Sequence, residues 1–189
     1  MAEIFQTTME PTKLELLAQW IPQQPWWAGG DRAPQLTPAG GFRLDDPEGE
    51  VGMEFIFVTD VAEAQQVTYH VPLSYRGAPL DGADSALLGT SEHGVLGRRW
   101  IYDAAHDPVV TAALDAFVHG RAEAQHQNQS FTLDPSVTCS GVPGGEVVVD
   151  LVRVLDAEAN PSGGTAGYVE AGWSLPDGTT VRGPVALVR

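Results

Sequence analysis

Between Glu92 and Asp107 the chain concentrates Glu92, His93, Arg98, Arg99, Tyr102, Asp103, His106 and Asp107, interleaved with Val95, Leu96, Trp100 and Ile101. Imidazole and carboxylate together suit zinc or manganese. Two arginines suit phosphate or carboxylate. Asp103 with His106 would make an acid/base pair, and Ser91 beside His93 a nucleophile pair, but neither has an identifiable third group or oxyanion element. The spacing matches no specific metal motif, and no metal or cofactor is expected. Arg98 and Arg99 are adjacent in a strand-like run, so they point to opposite faces and cannot clamp one ligand together. The expected role is structural: Arg98 or Arg99 pairs with Asp103 or Asp107 and braces the corner where a strand gives way to a helix. Trp26 and Trp27 form a second candidate surface. They sit in a loop, PQQPWWAGGDRAP, and are not expected both to point inward, so one is left for a ligand or partner. The binding candidates are therefore Trp26, Trp27, His93, Arg98, Arg99, Asp103 and His106. No catalytic residue is assigned.

These side chains need elements to hold them. Asp107-Pro108 starts a helix, with Asp as N-cap and Pro in the first turn. Val110, Ala113, Leu114, Phe117 and Val118 then follow at helical spacing, and RAEAQHQ extends the helix to about residue 126. Val110, Leu114 and Phe117 should pack on an antiparallel sheet containing Phe55–Thr59 and Val67–Leu73. An earlier helix spans residues 12–21, opened by the capping box Thr12/Glu15 and stopped at Pro22. Short strands are expected at Phe42–Leu44, Met53–Thr59, Val67–Leu73 and Arg98–Tyr102, with turns at 45–50 and 61–66. The stretch from Gly77 to Gly89 reads as turns. From Ser130 the pattern becomes β, with a short alternation at Ser130–Leu133 and strands at 146–155, 168–175 and 179–188. Pro176-Asp177-Gly178 turns the last pair, and a bulge or edge falls at Gly183-Pro184.

The sum is an α+β chain whose curved antiparallel sheet wraps a helix, followed by a β-rich C-terminal extension. Residues 1–135 form the first region. Residues 136–189 form an extension packed on the same domain. With 25 acidic against 10 basic residues, the net charge of −15 repels phosphate backbones and anionic lipid, so neither nucleic acid nor membrane is an expected partner. The basic residues are nine Arg and one Lys, Lys13, which leaves few options for a phosphate-anchoring or Schiff-base lysine. One cysteine, Cys139, allows no intrachain disulfide, and the N-terminal sequence does not read as a signal peptide. A cytoplasmic location is the resulting expectation.

The motif Tyr69, Val71, Pro72, Leu73, Tyr75, Arg76, followed by Leu80, Ala86, Leu87 and Gly89-Thr90, resembles the N-terminal cap domain of actinobacterial maltokinases and related sugar kinases. Glu92-His93, Leu96-Gly97-Arg98-Arg99-Trp100, Tyr102-Asp103 and His106-Asp107-Pro108 complete it. The opening signature is similar too: Trp20, Ile21, Pro22, Gln23, then Trp26, Gly29-Gly30 and Arg32. The resemblance covers roughly residues 12–135 and is strongest over 67–108. It implies a cystatin-like cap, which in the full kinases precedes two catalytic lobes. Those lobes carry a His-Gly-Asp type loop, a downstream Asn and a metal-binding Asp. Here His119-Gly120-Arg121 puts Arg121 in the place of that aspartate. The chain is also too short for both lobes, or for the barrel of a glucan branching enzyme. The resemblance therefore implies a non-catalytic binding or regulatory module for a protein partner, a sugar kinase or a glucan-metabolism enzyme. The alternative is a small carbohydrate-binding protein or enzyme that uses the Glu92–Asp107 cluster. The oligomeric state is left open.

Overall fold

In the computed structural model, residue 5 and residues 7–62, 66–141, 144–161 and 165–189 are described. In chain order the elements are β1 (Met9–Glu10), α1 (Lys13–Trp20), β2 (Leu36–Leu44), β3 (Gly52–Asp60), β4 (Val67–Arg76), β5 (Leu87–His93), β6 (Gly97–Asp103), α2 (Pro108–Val118), β7 (Gln125–His126), β8 (Thr138–Ser140), β9 (Val149–Leu151), β10 (Val154–Leu155), β11 (Gly167–Ser174) and β12 (Thr180–Val188). A larger sheet runs β1-β5-β6-β4-β3-β2-β7, with β10 added to the side of β4. A smaller sheet runs β8-β11-β12-β9. Both are antiparallel, and the larger one curls into a half-barrel. The α+β class with a curled sheet and a β-rich C-terminal part is as the sequence predicts.

β3 explains the layering. Its residues are buried on both faces, as its apolar run MEFIFV requires. Met53, Phe55 and Phe57 join Phe42 and Leu44 of β2 in one core. Val110, Leu114, Phe117 and Val118 of α2 enter the same core, with Val169, Trp173 and Val185 of the smaller sheet. Ile56 and Val58, one residue out of phase, join Tyr69, Val71 and Leu73 of β4 beneath Leu16, Leu17 and Trp20 of α1. The α2 stripe is thus buried in the same core as the side chains of β3. The apolar residues of β4, however, face α1, because adjacent strand positions alternate between faces.

The capping box holds: Glu15 N–H donates to Thr12 Oγ1 at 3.3 Å, and Thr12 N–H donates to Glu15 Oε2 at 2.8 Å. Thr12→Ala should lower stability by about 1 kcal/mol in urea unfolding. A loss below a few tenths would show that α1 is held by its packing alone.

Several boundaries differ from expectation. β2 begins at Leu36 rather than Phe42, and β5 occupies the C-terminal part of a region read as turns. Each strand contains a register shift, between Pro38 and Gly40 and between Leu87 and Gly89, which breaks the alternation that marks a strand in sequence. α2 stops at Val118, followed by Gly120 at φ +68°, and residues 125–126 instead pair with β2 as β7. Residues 130–133 form a turn that returns to a bridge between Leu133 and Gln125. The strand expected over 146–155 is two short pieces, β9 in the smaller sheet and β10 in the larger. The expected turn at 61–66 lies partly outside the described residues. The final hairpin bulges at Val185, beside Pro184.

Pro72 lies mid-strand in β4. His70 N–H donates outward from β4 to Arg153 O at 2.9 Å. Residue 72 shares that side. Its missing N–H faces the gap where pairing to β10 ends at Thr68–Tyr69 and pairing to β6 begins at Leu73. Among the described residues no helix is long and apolar enough to cross a membrane.

Candidate functional site

β5 and β6 form a hairpin, and that hairpin divides the polar cluster in two. At its tip His93 lies opposite Gly97, and Glu92 opposite Arg98. His93 Nδ1 accepts from the backbone N–H groups of Val95 and Leu96 at 3.3 and 3.0 Å, and the Phe5 ring stands edge-on at 5.9 Å. Burial, with the positive charges of Arg99 and Lys13, lowers the pKa of His93. Arg98 pairs with Glu92 at 2.7 Å in solvent, and Arg99 donates to Leu96 O at 2.8 Å. All three candidates here serve the turn. Asp103 is at the opposite end of β6, roughly 16 Å from Arg98 at the rise of an extended strand.

The far end of the strand is the corner. Asp103 accepts from Ala105 N–H at 3.3 Å and from Arg153 at 2.8 and 2.7 Å. Asp107, 0% exposed, caps α2 by accepting from Val109 N–H at 3.0 Å. It also takes a two-pronged bond from Arg76, Nε to Oδ2 at 2.7 Å and Nη2 to Oδ1 at 2.6 Å. Burial alone would raise its pKa. The Arg76 bonds, with Ser74 and the capped amide, outweigh it and hold the carboxyl below its ordinary value. A corner brace exists, then, but Arg76 and Arg153 supply the charge, not Arg98 or Arg99. Arg76 is directly across the sheet from Trp100, and Arg153 comes from the linker between β9 and β10. His106 is exposed beside this corner.

The tryptophan loop folds back onto β4. The Trp26 and Trp27 rings flank Tyr69 at 5.6 and 5.5 Å, and Trp20 stands 5.8 Å from Trp26. The Arg153 guanidinium lies over Trp26 at 5.7 Å and that of Arg32 over Trp27 at 5.2 Å. A Cβ on Gly29 would come within 2.0 Å of the Trp27 ring, so this position admits no side chain as the loop stands. Both rings are half-buried, where the sequence suggested that one would turn outward. Through Arg153, Trp26 and Asp103 meet, a juxtaposition that sequence spacing conceals.

Glu54 and His70 are among the buried groups that escaped the sequence reading. Glu54, 3% exposed, accepts from Lys13 Nζ at 2.6 Å, Tyr75 OH at 2.8 Å and Gln127 Nε2 at 3.1 Å. Burial pushes the Glu54 pKa up, but Lys13 and its other neighbours reverse this and leave it below the ordinary value. Burial and Glu54 push the Tyr75 phenol well up. An acidic residue inside the apolar run of β3 was the available signal. The second group is His70, whose Nδ1 lies 3.1 Å from the carbonyls of both Val152 and Val185, while Nε2 is buried without a partner. No group of three or more His, Cys, Asp or Glu side chains suited to a metal converges among the described residues.

Residues 20–107 match the family model of the maltokinase N-terminal cap domain. The match starts at the last residue of α1, takes in β2 to β6 and ends at the cap of α2. It covers a little under half of the 189 residues and includes the whole polar cluster. A search of curated proteins found no match to the chain.

Proposed function

We propose that the chain is a non-catalytic binding or regulatory module, built on a maltokinase-type cap, that acts by contacting a protein of sugar-kinase or glucan metabolism. One observation carries this reading. Among the described residues, every buried carboxylate is already paired with a base of the same chain: Glu54 with Lys13, Asp60 with Arg32, Asp103 with Arg153 and Asp107 with Arg76. A general base needs a pKa near the working pH and a free lone pair. Glu54, Asp60 and Asp107 are instead held below their ordinary values; for each, burial pulls the other way and is outweighed by its partners. Phosphoryl transfer also needs an aspartate for the hydroxyl and Asn and Asp for magnesium, and His119-Gly120-Arg121 closes α2 with an arginine in that place.

Purified protein given ATP with maltose or glucosamine should show no sugar-dependent ATP turnover. Turnover abolished by a point substitution in this chain would overturn the reading. A thermal-shift screen of sugars and nucleotides, run beside co-purification with candidate sugar kinases, tests the positive half. The module reading expects a kinase partner without a sugar shift. A specific sugar shift with no protein partner would favour a carbohydrate-binding protein instead.

A further inference from the structure

Where α2 ends, the chain encloses a cleft of 280 Å³ that none of the groups above uses. Phe117, Val118, Ala124, Leu133 and Val137 supply its apolar lining. The space lies just under the roughly 300–1,000 Å³ of sites for drug-sized ligands, and so suits a single ring or a short branched chain. Exposed apolar surface continues along the adjoining hairpin, where Phe131 is 58% exposed and stands at φ +56°. The charges at the cleft have one sign. Glu123 and Asp134 line it, and no Lys, Arg or His does. Arg121, the nearest base in sequence, is held by Asp115 on the helix. Asp134 Oδ1 accepts from Ser136, and no basic side chain among the described residues pairs with either acid.

The geometry points to a binding site for a small organic amine: an ammonium head at Glu123 and Asp134, with an apolar body against Phe117, Leu133 and Val137. Neutral or anionic bodies of the same shape would fill the walls but gain nothing, or be repelled, at the rim.

Cys139 provides the test, because it lines the cleft and is the one cysteine of the chain. Its alkylation by iodoacetamide, followed by intact mass, reports occupancy. Benzylammonium, benzyl alcohol and benzoate are compared at equal concentration. Benzylammonium should protect the thiol roughly three- to fivefold better than benzyl alcohol, the margin expected of a partly exposed charge contact, and benzoate should not protect. Glu123 is exposed, so its replacement should not disturb folding. Glu123→Gln should narrow the preference for the cation, and Glu123→Lys should abolish it. Equal protection by all three probes, protection by none, or a cation preference that survives Glu123→Lys would each overturn the assignment.

Discussion

Asp107→Ala should lower the free energy of unfolding by about 3–5 kcal/mol, far more than the ~1 kcal/mol of a lost helix cap. The reason is Arg76. Asp107 is 0% exposed, and both its oxygens are engaged by that guanidinium. Removing the carboxylate leaves a cation with little access to water, and an orphaned buried charge costs more than the pair contributes. Asp107→Asn separates the two effects, since the amide oxygen can still cap Val109 N–H but carries no charge. Urea unfolding of both variants at pH 7 is the measurement. A loss near 1 kcal/mol for alanine would mean that Arg76 reaches solvent when freed, and the brace would then be a cap alone.

His70 should make the protein acid-sensitive well above the carboxylate range. Its ring is fully buried, packed by Phe55 and Phe57. Burial, with the nearby Arg153 charge, pushes its pKa down to about 3 from an ordinary value of 6.5, despite the two backbone carbonyls at Nδ1. As pH falls through 6.5 the unfolded chain takes up a proton that the folded chain refuses until about pH 3. The unfolded state binds more protons across that window, so stability rises with pH there and is lost on acidification. Between pH 6.5 and 4.5 the loss should be about 2–3 kcal/mol. The buried carboxylates act in the same direction, but they begin only near their own ordinary values of 4.5 and 3.8. His93, also lowered, is half-buried and adds a smaller share. His70→Gln keeps a donor for Val152 and Val185 and removes the titration. Denaturant unfolding at pH 6.5, 5.5 and 4.5 should give the variant a distinctly shallower profile, with the remainder carried by His93 and, near pH 4.5, by Glu54. An equally steep slope in the variant would assign the acid sensitivity elsewhere.

What could be read in the sequence was local. The Thr12/Glu15 box, the Asp107-Pro108 start, the turn at Asp177-Gly178 and the antiparallel pairing of β3 with β4 each rest on neighbours a few residues apart. The cap resemblance also rests on a contiguous motif. What escaped was carried by distant partners. Nothing near Asp103 announces Arg153, fifty residues on, and nothing near Glu54 announces Lys13, forty-one residues back. Arg98 and Arg99 looked like partners for Asp103 and Asp107 because they are close in the chain, but an extended strand turns that closeness into distance. The first part of β2 and the strand β5 escaped for a different reason: an irregular residue shifts the alternation to the other face and breaks the period.

The crossing from β9 to β10 separates the stretch that is matched as a family from the body that folds. Strand β10 covers β4 at Thr68–Tyr69, and Val152 and Arg153 beside it supply a carbonyl to His70 and the charge beside Asp103. A fragment cut to residues 20–107 would lose all of these, together with α2 and the smaller sheet that cover Phe42, Met53, Phe55 and Phe57. It would present a bare strand edge beside an uncovered aromatic face, a combination that drives edge-to-edge association. The matched stretch and the packed body therefore have different borders. Expressed alone, the 20–107 segment should aggregate more readily than residues 1–189 under the same conditions.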